Sequence, residues 1–206
     1  WAPGTASGYH SVTQGYLIGE VVRRITGRSL GTVFREEIAG PLGADFHIGL
    51  AAENDARVAD LIPPPGPPLS YEGASELSRN LATNPPIDPL DTRTRAWRAA
   101  EIPAANGHGN ARAIAKVHAV LANGGVSGGK RIMSEAGCRK ALEPQIQGVD
   151  LVLRIPVTFG NGFALSSVTT PFPNPNSMFW GGYGGSIAII DMDAQAAFGV
   201  AMNKMA

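Results

Sequence analysis

The chain has 206 residues, 44% hydrophobic and 17% charged, which is enough apolar material for one full domain or two small ones and excludes a disordered chain. Lys plus Arg number 17 and Asp plus Glu number 17, so there is neither a basic field for nucleic acid nor a polybasic membrane anchor. No apolar run is long enough to span a bilayer. The single cysteine, Cys138, excludes an internal disulfide and a cysteine-rich zinc site without fixing the compartment.

The chain opens on Trp1, with no charged n-region or apolar h-region, and stops at Ala206 just after an apolar run. The expectation is an internal piece of a longer protein. Ser11 and Gln14 have the spacing of a capping box and predict the start of a first helix. Leu17, Ile18, Val21, Val22 and Ile25 supply its apolar stripe, and Gly27 its exit. Ser29 predicts the cap of a second helix, with Leu30, Val33, Phe34 and Ile38 on one face and Pro41 at its end. Two amphipathic helices so closely linked are expected to pack on each other or on a shared core.

Residues 51–105 are broken by prolines 63, 64, 65, 67 and 68 and again by Pro85, Pro86 and Pro89. A short helix is expected from about Gly73 to Leu81. So long an irregular stretch within a compact domain is more often functional than a neutral spacer. Asn110 predicts the cap of a further helix striped by Ile114, Val117 and Leu121 and stopped at Gly124-Gly125. Ser134 caps another, ending at Pro144.

After Gly148 the pattern changes to strands. Val157–Leu165 is one candidate, interrupted by Gly160 and Gly162, and Phe179–Tyr183 is another. Ser186–Asp191 and Ala196–Met202 read as a hairpin across Asp193-Ala194-Gln195. The expected fold class is α+β, with residues 1–147 mainly helical and 148–206 forming antiparallel strands.

One glycine-rich stretch, Gly124 to Arg131, imitates three motifs. Gly125-Val126-Ser127-Gly128-Gly129 fits the nucleophile elbow G-x-S-x-G, but a helix precedes it, and His10, His47, His108 and His118 all lie upstream of Ser127. Ser127 and Lys130 fit S-x-x-K, yet that pair needs one face of a helix, which the glycines disfavour. A P-loop fails because Arg131 replaces the hydroxyl that would bind magnesium. The stretch reads as a surface turn.

Two other stretches carry more: Tyr9-His10-Ser11 before the first helix, and Trp180-Gly181-Gly182-Tyr183-Gly184-Gly185-Ser186 entering the last hairpin. Together they resemble the serine hydrolases of the class C β-lactamase and family VIII carboxylesterase type. Those enzymes use S-x-x-K, a Tyr-x-Asn or Tyr-x-Ser triplet, and a K-T-G, H-x-G or W-G-G strand; the related set in class A enzymes is S-x-x-K, S-D-N and K-T-G. The segment from Gly15 to Gly43 and the run Asn106–Arg112 sound the same family note, so the resemblance covers most of the chain.

The resemblance implies a β-lactamase/transpeptidase-like fold, a helical domain plus an antiparallel sheet, incomplete here because the S-x-x-K helix belongs upstream of Trp1. That missing segment is expected to be present elsewhere in the polypeptide or supplied by another chain. It implies that Tyr9 is the general acid/base. An ordinary phenol titrates near about 10 and is a weak base at neutral pH, but an adjacent lysine ammonium favours the phenolate. It implies that the backbone N–H of Tyr183 forms half of an oxyanion hole. Trp180, Gly181 and Gly182 would form an edge of the site, with Ser11 and His108 as further substrate contacts.

Each of these residues also has a plainer reading: Tyr9 as a turn tyrosine, Ser11 as a cap, His108 as a loop histidine bonded to backbone, and the glycines as a β-turn. Phe159, Phe163, Phe172 and Phe179 read more simply as sheet core than as an acyl pocket. Trp180, where the lactamases often carry lysine, favours a neutral ester over a carboxylate-bearing substrate. The implied activity is hydrolysis of short carboxylic esters through an acyl-enzyme. The alternatives are a β-lactamase, D-peptidase or acyltransferase of the same fold, or an inactive fragment or binding scaffold. No metal or organic cofactor, nucleic-acid partner or membrane span is implied.

Overall fold

The computed structural model describes residues 1–64 and 72–205, so prolines 65, 67 and 68 of the expected break lie outside the described residues. Helix α1 spans Thr13–Thr26 and ends as anticipated at Gly27, whose φ of 71° only glycine adopts readily. Its start differs: the buried Val12 takes the N-cap position, its carbonyl accepting the Gly15 N–H at 3.2 Å, and no Ser11–Gln14 box forms. Its packing differs too. The face that touches the rest of the chain is the glycine face: a Cβ on Gly15 would lie 2.6 Å from the Ala104 nitrogen, and one on Gly19 would lie 3.8 Å from Leu30. The apolar stripe points outward, with Leu17 65% and Ile25 78% exposed.

Ser29 caps α2 (Leu30–Val33) by accepting the Thr32 N–H. The helix then widens into a π-helical turn, Phe34–Ala39, and runs on as α3 (Gly40–Leu42) to a left-handed Gly43. Pro41 does not end it. In the widened turn the Gly40 N–H reaches back to the Arg35 carbonyl, and Pro41 sits where α3 restarts. Phe34 meets the edge of Phe46 on the short strand β1 (Phe46–His47).

The irregular stretch contains 3₁₀ turns at Ala52–Arg57 and Pro89–Arg93 and two short helices, α4 (Glu76–Thr83) and α5 (Arg95–Ala99). Ser75 caps α4, two to three residues later than the pattern suggests. Buried Asn106 holds the end of this stretch: it accepts from the Ile102 N–H and donates to the carbonyls of Trp97 and Ala100. The pair β1 with β2 (His108–Gly109) follows, and then Asn110 caps α6 (Ala111–Ala122), as its sequence suggests.

Strands β3 (Val126–Ser127) and β4 (Lys130–Arg131) turn the glycine-rich stretch into a tight hairpin, with Gly128 and Gly129 at φ 57° and 76°. Ser134 caps α7 (Glu135–Lys140), which stops short of Pro144.

The main sheet is a six-stranded antiparallel meander in the order β10-β9-β8-β7-β6-β5. Its strands are β5 (Ile146–Val149), β6 (Pro156–Phe159), β7 (Ala164–Leu165), β8 (Ser177–Gly181), β9 (Ile187–Asp191) and β10 (Ala196–Val200). The interrupted run 157–165 is therefore two strands, not one, because Gly160 and Gly162 make the turn between them.

Helix α6 lies across β9 and β10, so closely that a Cβ on Gly199 would fall 2.7 Å from Ile114. One buried cluster gathers Ala39, Leu42, Ala44, Ala113 and Val120, and a second gathers Ala122, Ala141, Leu165, Met178 and Ile190. Among the described residues no helix is long and apolar enough to cross a membrane.

Candidate active site

Tyr9 and Trp180 are 171 positions apart in the chain and in contact in the fold. Their ring centroids are 5.3 Å apart, tilted by 46°, and Trp180 Nε1 points its proton at the Tyr9 hydroxyl from 3.4 Å. Trp180 is half-buried near the C-terminal end of β8, where the strand register fixes it opposite Ala188. Its other neighbour is Phe159 of β6, edge-on at 5.2 Å. Phe159 thus touches Trp180 as well as its sheet neighbours, whereas Phe172 and Phe179 pair with each other and Phe163 meets His118.

The strand then breaks. Gly182 closes a tight turn, donating to the Ser186 carbonyl at 2.7 Å and accepting from the Gly185 N–H at 3.1 Å. A Cβ on Gly182 would fall 2.3 Å from the Ser186 hydroxyl, and Gly184 and Gly185 have φ of 96° and 114°, so the turn requires its glycines. Tyr183 sits at its tip, 66% exposed, and among the described residues no acceptor takes its backbone N–H.

On the other side, Tyr9 belongs to an extended segment before α1. An open depression of about 220 Å³ lies there, lined by Trp1, Tyr9, His10, Ser11, Leu77, Leu81 and Val152 among others. Ser11 thus faces the depression beside Tyr9. His10 is exposed and its Nδ1 bonds the Gly8 carbonyl. Trp180 is not part of the lining, so Tyr9 stands between the depression and the glycine turn.

Asp150 is fully buried under the Tyr9 segment. Burial alone would push its carboxyl up, but hydrogen bonds from Ser7, Leu153, Val152 and Tyr9 outweigh it and hold the group below its ordinary value.

His108 is elsewhere: it lies on β2, paired with His47, and does not line the depression. Burial pushes its imidazole down, and its Nδ1 has no hydrogen-bond partner among the described residues. Ser127 and Lys130 pair across the β3–β4 hairpin, and the serine hydroxyl is committed to the Lys116 carbonyl at 3.3 Å, so the S-x-x-K spacing does not fall on a helix. Among the described residues no group of three His, Cys, Asp or Glu side chains is placed to hold a metal ion.

Reasoning from sequence missed Trp1, Leu77, Leu81 and Asp150. The one available signal was Asp150, a lone carboxylate inside the apolar run Val149-Asp150-Leu151-Val152-Leu153.

The beta-lactamase family model matches residues 1–206. The esterase/beta-lactamase LipL of Mycobacterium tuberculosis is 29% identical over 97% of this chain, which spans 48% of that protein. Among solved structures, a family VIII carboxylesterase superposes with a TM-score of 0.91 at 40% identity, over 100% of this chain and 55% of its own. A penicillin-binding-protein homologue from Caulobacter crescentus gives a TM-score of 0.86 at 37% identity, over 100% of this chain and 55% of its own. The chain thus spans about half the length of the relatives it matches.

Proposed function

The chain belongs to the beta-lactamase family, and from that premise we propose that the polypeptide it is part of hydrolyses carboxylic esters through an acyl-enzyme, with Tyr9 as general acid/base. The observation that carries the reading is the meeting of Tyr9 with the Trp180-Gly181-Gly182 strand across 171 residues of chain. The names of the relatives support it: one is a carboxylesterase and another an esterase/beta-lactamase.

The nucleophile in this reading is a serine outside these 206 residues, since the only S-x-x-K here lies on a hairpin. The outward apolar stripe of α1 is surface that such a segment would cover. In acylation the phenolic oxygen of Tyr9 takes the serine proton as Oγ bonds to the ester carbonyl carbon. The carbonyl oxygen becomes an oxyanion, which the uncommitted Tyr183 N–H stabilises. The phenol then returns the proton to the departing alcohol. Water repeats the sequence to release the acid. Trp180 offers no cation for a substrate carboxylate, which favours neutral esters.

The test uses the full polypeptide. A serine-reactive phosphonate should add one adduct to its mass. Tyr9→Phe should lower kcat on a short-chain ester by at least about 100-fold, the scale of a lost general base. Its unfolding midpoint should stay nearly unchanged, because the ring packing survives. Turnover within about threefold of wild type would remove Tyr9 from the chemistry. A chromogenic cephalosporin hydrolysed faster than the ester would replace the esterase reading with a lactamase.

A further inference from the structure

We propose that Asp150 is a positioning residue of this site: through the main chain of Tyr9 and the hydroxyl of Ser7, its carboxylate sets where the phenol stands against the Trp180 strand. The proposal rests on the reading of Tyr9 given above.

Asp150 follows β5 and opens the turn to β6. Its Oδ1 accepts the N–H groups of Val152 and Leu153, both at 2.8 Å, and its own N–H closes the turn on the Ile155 carbonyl at 3.0 Å. A turn needs no more than this, and asparagine or an exposed aspartate would serve. The remaining bonds of its carboxylate go to a segment more than 140 positions away. Ser7 Oγ donates to Oδ2 at 2.5 Å, and the Tyr9 N–H donates to Oδ1 at 3.2 Å. The Leu151 N–H adds a third tie, to the Ser7 carbonyl at 2.9 Å.

These contacts leave Asp150 with no exposed surface. A buried carboxylate is unfavourable unless its oxygens are well bonded, so the charge is tolerated there only while the Ser7–Tyr9 segment is docked. Trp1 also packs on the segment: a Cβ on Gly8 would fall 2.1 Å from the indole. The Tyr9 backbone is thus fixed by Asp150 and its ring by Trp180. Asp150 bonds the Tyr9 nitrogen and not the phenol, so it acts through Tyr9 and takes no proton itself.

The test is a double-mutant cycle in the full polypeptide, with unfolding measured for every variant. Asp150→Asn should lower kcat by at least about 10-fold with KM within about threefold, because a misplaced catalytic group costs rate more than binding. In a Tyr9→Phe background the same substitution should cost no further rate. Ser7→Ala removes one donor and keeps the carboxylate. It should lower kcat severalfold in the wild-type background and not at all beside Tyr9→Phe, and it carries the test if Asp150→Asn does not fold. Losses that multiply with Tyr9→Phe, or a folded Asp150→Asn or Ser7→Ala with wild-type kcat, overturn the positioning role. Full activity of Tyr9→Phe alone overturns the reading of Tyr9 instead, so the two failures are told apart.

Discussion

Trp180 is the residue on which stability and activity should part most informatively. Truncation to alanine removes its contacts with Tyr9 at 5.3 Å and Phe159 at 5.2 Å. Aromatic pairs contribute about 0.5–1.5 kcal/mol each beyond area burial, so the two together contribute about 1–3 kcal/mol. Truncating a fully buried large aromatic costs about 3–5 kcal/mol, and Trp180 is only half-buried, which places the expected loss near about 2–3 kcal/mol. The Nε1–Tyr9 contact at 3.4 Å is longer than a good N–H···O bond and adds little.

Trp180→Phe keeps a ring between Tyr9 and Phe159 and should cost about 1 kcal/mol or less. Because Tyr9 loses its wall in the alanine variant alone, kcat/KM should fall by about 10–100-fold for Trp180→Ala and by less than about fivefold for Trp180→Phe. Urea unfolding together with hydrolysis of a short-chain p-nitrophenyl ester reads both quantities on the same samples. An alanine variant within about 0.5 kcal/mol of wild type with unchanged kcat/KM would refute the packing argument. A phenylalanine variant as impaired as alanine would shift the effect onto the indole N–H.

Acid should act on the same region through Asp150. Its carboxyl titrates lower in the fold than in the unfolded chain, so its contribution to stability is complete above its unfolded value and is lost as pH falls through its folded one. The difference in unfolding midpoint between wild type and Asp150→Asn should therefore be constant near neutrality and shrink below about pH 4. A gap that widens in acid would contradict the sign. In the β3–β4 region, Gly125→Ala combines φ of 93° with a Cβ 1.9 Å from the Met133 carbonyl oxygen and should destabilise by at least about 2 kcal/mol. Gly128→Asn, at φ of 57° with open space around it, should change stability by less than about 0.5 kcal/mol. Equal unfolding midpoints for those two variants would refute the contact argument.

Local chemistry was legible wherever a cap or a turn was self-contained. Ser29, Asn110 and Ser134 each cap the helix their sequence suggests, because an N-cap bond spans only three residues. Gly27 ends α1 for the same local reason. Long-range matters were not legible. The periodicity of α1 gave a correct stripe, but not that the stripe faces away and Gly15 and Gly19 make the contact. Pro41 was misread because nothing nearby announces the π-helical turn that admits it. In the candidate site, Tyr9 and Trp180 were singled out through motif residues and the fold brings their rings into contact, whereas Asp150, Leu77 and Leu81 neighbour Tyr9 only through tertiary packing, for which a single sequence has no signature.

The tie between residues 7–9 and 150–151, with the ring contact to residue 180, also bears on when the site comes into being. The sheet is a meander whose strands pair with their chain neighbours, so its contacts close short loops and form early. Tyr9 must instead close a loop of more than 140 residues onto a turn already made, at an entropy cost that rises with the logarithm of loop length. On that argument the strand edge and the Asp150 turn should form first, and the carboxylate should become buried only when the Tyr9 segment docks. If Tyr9 has the proposed role, a chain with a native sheet and an undocked Tyr9 segment should be inactive, so recovery of activity should lag recovery of sheet structure when the polypeptide is refolded.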